Sequence, residues 1–249
     1  MKIKDLYNQK NKEQLLKDLG EENFNRTTLS FYKYINLKNL SELRDNLFLE
    51  WKKINILGRV YISSEGINAQ ISLPEHNLNL FKKFMENNSV FKDIPLKFAI
   101  QEGISFLKLT IKIKDEIVAY KVPNQEYNIK KVGKHLNYKE YHQAIDNGAT
   151  IIDMRNYYEG EVGRFEGAII PNVDTSMDLL PEVKKILQGQ ENNQILLYCT
   201  GGIRCEKASA YLIHHGFKDV NQLNGGIIQY ANDIKKDNVK SKFIGKNFV

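Results

Sequence analysis

Gln194-Ile195-Leu196-Leu197-Tyr198-Cys199-Thr200-Gly201-Gly202-Ile203-Arg204-Cys205-Glu206 is the stretch from which the rest of this chain can be read. Its first five residues form a short apolar run that predicts a buried strand. Cys199 closes the strand, two glycines follow, and a helical pattern starts at Arg204 and runs to His214. A cysteine between a strand end and a helix N-terminus lies where backbone N–H groups converge. Such a place lowers a thiol's pKa and favours the thiolate, the form that reacts. Glycines let the backbone curl around the sulfur without Cβ clashes. A buried structural cysteine is the alternative, but strand, glycine loop and helix together point to a reactive one.

Loop length narrows the chemistry. Cysteine phosphatases place His before the Cys and Arg after five intervening residues, so that the guanidinium reaches a bound phosphate. Here Tyr198 stands in the His position, Cys205 stands where that Arg belongs, and Arg204 comes one residue early. The shorter cradle from Cys199 through Thr200, Gly201, Gly202 and Ile203 to Arg204 resembles the active-site loop of rhodanese sulfurtransferases, which fits a persulfide better than a phosphate.

On either side of this stretch, strands alternate with helices. Helices are expected over 138–147, around 183–187, and over 204–215 and 226–235, with strands over 150–154, 194–198 and 220–223. Residues 163–168 read as a loop leading into a strand. Alternation of this kind predicts a parallel, doubly wound sheet. Cys199 then lies at a strand's carboxyl end, where such sheets place ligands.

The first half reads differently. Strands are expected over 27–37, 56–62, 67–73, 96–100, 106–113 and 117–120, and helices over 39–53 and 76–87, the second with Leu80, Phe84 and Met85 inward. Ser63-Ser64-Glu65-Gly66 is a hairpin-type turn, and Gly103 a turn between two of the later strands. The β-α-β-β-α-β order predicts a ferredoxin-like α+β sandwich. The expected organisation is therefore a ferredoxin-like domain over 1–120 with a polar N-terminal segment, a linker or loop over 121–135, and a rhodanese-like domain with a C-terminal extension over 136–249.

Composition sets the outer bounds. No apolar run approaches the roughly 20 residues that a membrane helix needs. Residues 1–25 are charged and polar without the apolar core of a secretory signal. Two cysteines make no disulfide framework, so a reduced cytoplasmic setting is expected. The formal charge of +6 is compatible with a polyanionic partner such as RNA. The Cys-x5-Cys spacing fits no common zinc finger, and no metal is expected. No flavin, haem or non-haem iron motif is evident, so no cofactor is expected.

Other residues carry two readings. Asp153 and Arg155 end a strand and either support the cysteine loop or pin neighbouring loops by ion pairing. Cys205 either resolves an oxidised Cys199 or packs in its helix. Arg164 reads as a solvated or RNA-facing charge. Glu65 and Asn68 belong to a polar strand entry, either a turn or a substrate loop. Arg59, Lys108, Lys112 and Lys114 lie on strands with Tyr61 and Phe106. Strand alternation makes them either one basic, aromatic RNA-binding face or ordinary solvated lysines.

The residues also carry a family resemblance. The segment from Tyr198 to Ala210 resembles the bacterial tRNA uridine hydroxylases that contain a rhodanese-like domain. So do Ile152-Asp153-Met154-Arg155-Asn156, Glu161-Val162-Gly163, Phe165-Glu166, Gly225-Gly226-Ile227-Ile228 and the run from Phe243 to Val249. Glu65-Gly66-Ile67-Asn68-Ala69-Gln70 looks like that family's second signature. The resemblance spans nearly all of 27–249. It implies oxygen-dependent conversion of the wobble uridine in the tRNA anticodon loop to 5-hydroxyuridine, with molecular oxygen as co-substrate. Cys199 matches the family's active cysteine. Longer members continue past the Phe-Val pair into a cysteine-rich, metal-binding tail, for which residues 1–249 carry no expectation. The alternative activity is a rhodanese-type sulfurtransferase with a persulfide on Cys199. A non-catalytic recognition module is a third, disfavoured by the intact cysteine cradle.

Overall fold

The computed structural model describes residues 8–99 and 105–246. They form two compact units that divide between Ile117 and Val118.

The first unit opens with α1 (Lys12–Gly20), capped by a reciprocal Asn11–Gln14 box. It continues through β1 (Arg26–Tyr34), α2 (Leu40–Lys53), β2 (Leu57–Ser63), β3 (Gly66–Pro74), α3 (Leu78–Asn87), β4 (Lys97–Phe98) and β5 (Leu109–Ile113). The sheet order is β4-β1-β3-β2-β5. The first four strands pair antiparallel in the expected ferredoxin-like arrangement, and β5 adds parallel to β2. Alternation divides the sheet into two faces. Leu29, Phe31, Val60, Ile62, Ile67, Ala69, Ile71, Leu109 and Ile111 pack with Leu47, Trp51 and Phe81 in the core. The other face carries Ser30, Tyr32, Arg59, Tyr61, Asn68, Gln70 and Lys112.

Several expectations for this unit need correction. β4 and β5 lie at opposite edges of the sheet. Ile100 and Gly103 lie outside the described residues. Phe106 and Lys108 precede β5 instead of belonging to it. Leu80 is 53% exposed, whereas Phe84 packs against the core and Met85 is buried in it together with Phe81. Residues 117–120 form no strand. Ile117, Val118 and Tyr120 are buried, yet the backbone bonds go elsewhere. The Ile117 N–H donates to Glu65 Oε1 at 2.7 Å, and Tyr120 N–H turns back to the Val118 carbonyl at 3.0 Å.

The second unit holds a four-stranded sheet of order β6-β10-β9-β7, made of β6 (Lys134–Leu136), β7 (Thr150–Asp153), β9 (Gln194–Tyr198) and β10 (Asp219–Leu223). Every ladder is parallel, as alternation predicted. Between β7 and β9 run α5 (Tyr157–Val162), β8 (Gly163–Phe165) and α6 (Ser176–Ile186). β8 pairs antiparallel with β11 (Phe243–Gly245) in a separate ribbon. Helices α4 (Tyr138–Asp146) and α8 (Gly226–Lys236) contribute Tyr138, Tyr141, Ile227 and Tyr230 to one core with Leu196 and Tyr198. By alternation Ile195, Leu197 and Cys199 face the opposite side, where α7 (Ile203–His214) packs on β9 and β10 and on α6. β6 takes Lys134 and His135 from the segment read as linker or loop. Gly133 is fixed beside it, its N–H donating to Ser209 Oγ at 2.9 Å and its carbonyl accepting from Gln222 Nε2 at 3.1 Å.

Candidate active site

The loop from Cys199 to Gly202 joins β9 to α7 and leaves Cys199 fully buried. Its turn depends on Gly202, whose φ of +96° lies in the left-handed region and lets the backbone double back over the sulfur. The Gly202 N–H donates to Cys199 Sγ at 3.1 Å. Burial alone would raise the thiol pKa. It is outweighed by the Cys205 S–H, the Arg204 charge and the N–H groups of Cys205 and Arg204, and the value falls from 9.0 to about 5. Burial and the neighbouring sulfur push Cys205 well up. At neutral pH the pair is therefore one thiolate that accepts a hydrogen bond from one thiol.

Helix α8 closes the loop from the far side. Ile227 N–H donates to the Cys199 carbonyl at 3.0 Å and Ile228 N–H to the Thr200 carbonyl at 3.1 Å. Gly226, at φ +68°, makes this approach possible: a Cβ there would stand 2.6 Å from both the Cys199 and Thr200 carbonyl oxygens.

Arg204 does not point at an open anion site. Its Nη1 donates to Glu159 Oε2 at 2.9 Å, and its Nη2 to Glu159 Oε1 and Thr200 Oγ1, each at 3.2 Å. Thr200 Oγ1 in turn donates to Glu159 Oε1 at 3.3 Å. Burial pushes the Glu159 pKa up, but Arg204 outweighs it and holds the carboxyl below its ordinary value. Glu159 was not anticipated. Its sequence signal was the Asn156-x-x-Glu159 capping box that starts α5, a helix too short to show periodicity. Tyr120 was also missed: it is buried, and its hydroxyl donates to the Arg204 carbonyl at 3.4 Å.

Asp153 and Arg155 form a buried network of their own. Both are fully buried. Asp153 accepts from Arg155 Nε at 2.9 Å and Nη2 at 2.7 Å, and from the Tyr198 hydroxyl at 2.7 Å. Arg155 Nη2 also donates to the Gly163 carbonyl. This network ties the ends of β7 and β9 to β8. Arg164, half-buried on β8, donates to the Gly160 carbonyl at 3.3 Å.

In the first unit the strand register aligns much of the expected basic face. Tyr32, Asn68, Tyr61 and Lys112 are successive cross-strand neighbours, and Ser30, Gln70, Arg59 and Thr110 form the next rung. Lys97 Nζ sits 4.3 Å from the Tyr32 ring centroid and Lys114 Nζ 5.9 Å from that of Tyr61. Arg59, Lys112 and Lys114 are exposed. Lys108 departs from the group, lining a cleft of about 440 Å³ with Leu15, Phe48 and Lys52. Glu65 and Asn68 clamp the backbone of Ile117, Asn68 Nδ2 donating to its carbonyl at 3.4 Å. Among the described residues no cluster of His, Cys, Asp or Glu could hold a metal ion, and no helix is long and apolar enough to cross a membrane.

Fold and cysteine loop together define a rhodanese-like domain preceded by an acylphosphatase-like one. The family model "Rhodanese-like domain" matches residues 137–233, and "UPF0176 acylphosphatase like domain" matches 26–117. The tRNA uridine(34) hydroxylase of Leptospira interrogans is 51% identical over 250 residues, covering 100% of this chain and 68% of the relative. Proteins of the same name from Photorhabdus laumondii and Yersinia pestis are 44% and 42% identical, over 90% and 98% of this chain and 64% and 70% of their own lengths. The chain belongs to the tRNA uridine(34) hydroxylase family.

Proposed function

We propose that this protein hydroxylates the wobble uridine of tRNA at C5, with molecular oxygen as co-substrate and Cys199 as the active cysteine. The observation that carries the reading is a buried Cys199, its Sγ accepting the Gly202 N–H at 3.1 Å in a glycine loop, in a chain 51% identical to a tRNA uridine(34) hydroxylase. A tRNA substrate would place the enzyme in the cytoplasm. The basic, tyrosine-bearing face of the first unit's sheet supports tRNA binding through Arg59 and Lys112.

Chemically, uracil C5 is a poor partner for oxygen until electron density is moved onto it. Addition of the Cys199 thiolate to C6 breaks the C5–C6 π bond and places that electron pair on C5 and O4 as an enolate. C5 then attacks the oxidant, and loss of the C5 proton with return of the C6–S electrons to sulfur restores the ring. With molecular oxygen, the second oxygen atom leaves as water and requires an external two-electron donor. Arg204 is already engaged by Glu159 and Thr200. A persulfide on Cys199 is the second reading, favoured by the same amide cradle around Sγ.

Nucleoside mass spectrometry of tRNA from cells with and without the gene tests the activity. Loss of 5-hydroxyuridine on deletion, restored by wild-type protein but not by Cys199→Ala, is the expected result. Unchanged 5-hydroxyuridine would overturn it. Transcripts carrying 5-fluorouridine at the wobble position separate the two sulfur roles. C6 addition predicts a covalent adduct dependent on Cys199. Absence of that adduct, together with an extra sulfur on the intact protein, would establish the persulfide route.

A further inference from the structure

Ten large apolar or aromatic side chains are exposed among the described residues, and two of them are consecutive on α5: Tyr157 at 41% and Tyr158 at 64%. Isolated exposed aromatics need no explanation, but these stand immediately before Glu159, whose carboxylate touches Thr200 and Arg204 in the cysteine loop. We propose that Tyr157 and Tyr158 form a stacking platform for unpaired bases that flank the target nucleotide in an RNA loop. The proposal rests on the tRNA reading above and adds residues that would hold the RNA loop beside the cysteine loop.

Three observations carry it. First, the platform is fixed to the chemistry. Glu159 caps α5 through Asn156 N–H at 3.0 Å and grips the loop with the same carboxylate, so the helix backbone that carries the two tyrosines is tied to the cysteine loop. Second, Tyr158 is preorganised. Asn156 Nδ2 donates to its hydroxyl at 3.1 Å, and Asn156 Oδ1 accepts from Ser176 Oγ at 3.5 Å. A ring held at its polar end presents its face with little entropy left to lose. Third, a cation stands beside the helix: Arg164 donates to the Gly160 carbonyl of α5 at 3.3 Å. Nucleobases stack on tyrosine faces regardless of sequence, and an anticodon loop offers such bases already unpaired.

The test uses the full chain with Tyr157→Ala, Tyr158→Ala, the double variant and Tyr158→Trp. Binding is measured against a wobble-uridine anticodon stem–loop and against a fully paired hairpin of equal length. Thermal melting and thiolate absorbance report fold and site integrity. The double alanine variant is expected to bind the stem–loop roughly ten- to a hundred-fold more weakly. Its affinity for the paired hairpin, its melting temperature and its thiolate signal should match wild type, and Tyr158→Trp should keep stem–loop affinity. Equal weakening for both RNAs, wild-type affinity in the double variant, or no stem–loop binding by wild-type protein would each overturn the platform. Wild-type protein that binds the stem–loop but makes no 5-hydroxyuridine would sink the hydroxylase reading while leaving the platform standing. If the double variant melts early, the comparison of Tyr158→Trp with Tyr158→Ala decides alone.

Discussion

At the scale of single residues, the site is a set of charges arranged around one sulfur. Cys199→Ala should abolish 5-hydroxyuridine formation in tRNA while leaving the fold intact by circular dichroism. The pH dependence has a definite sign. The folded Cys199 pKa, about 5, lies below the ordinary thiol value of 9.0. Its contribution to stability is therefore complete above the unfolded pKa and is lost as pH falls through the folded one. Urea titrations should show the wild-type advantage over Cys199→Ser growing as pH rises from about 5 toward about 9, the window set by those two pKa values. A flat difference would mean that the thiolate is not favoured by folding. Cys205→Ala removes the S–H that supports the thiolate, so the thiolate absorbance midpoint should move up. Glu159→Gln leaves Arg204 mostly buried without its counter-charge, and breaking such a pair costs roughly 3 kcal/mol. Chemical denaturation should detect that loss, and the tRNA hydroxylation rate should fall with it.

Elements fix where those residues stand, and here sequence reading succeeded unevenly. The strand into Cys199 and the helix after it were legible because a five-residue apolar run and a long periodic helix are strong local signals. Helix α5 and the β8–β11 ribbon were not: each is three to six residues long, and the ribbon pairs segments far apart in sequence. Residues 117–120 read as a strand because apolar content cannot tell burial against a neighbour from ladder pairing. Arg155 was legible as a charge at a strand end, but its complete burial with Asp153 and Tyr198 depends on tertiary packing. The contact between α8 and the cysteine loop yields a prediction at this scale. Gly226→Ala would press a Cβ to 2.6 Å from two carbonyl oxygens at a backbone angle that disfavours side chains. It should lower the melting temperature by at least about 3 °C and raise the thiolate midpoint as the loop shifts. An unchanged melt and midpoint would show that α8 does not hold the loop.

For the molecule as a whole, the open question is how a polyanion is held. The basic residues of the first unit's outer sheet face come from separate strands, so only the register reveals that Arg59 and Lys112 share a surface. Binding of tRNA should weaken linearly on logarithmic axes as salt rises, because each phosphate contact releases counterions. The double reversal Arg59→Glu, Lys112→Glu should lower affinity and flatten that slope. The Cys199 thiolate midpoint should be untouched. A variant that loses both tRNA affinity and thiolate character would point to misfolding, and one that loses neither would remove this face from tRNA recognition.

The Glu159–Arg204 pair has a consequence for inhibition. Sites that bind oxyanions through an arginine beside a cysteine are blocked by phosphate, sulfate and vanadate. Here that guanidinium already holds a carboxylate and a threonine hydroxyl, and the adjacent sulfur is itself negative. The small oxyanions common in buffers should therefore leave turnover of an anticodon stem–loop unaffected beyond their ionic strength, as a comparison with chloride at matched ionic strength would show. Neutral, planar uracil analogues should be the effective competitors, because such a pocket discriminates by charge before it discriminates by shape.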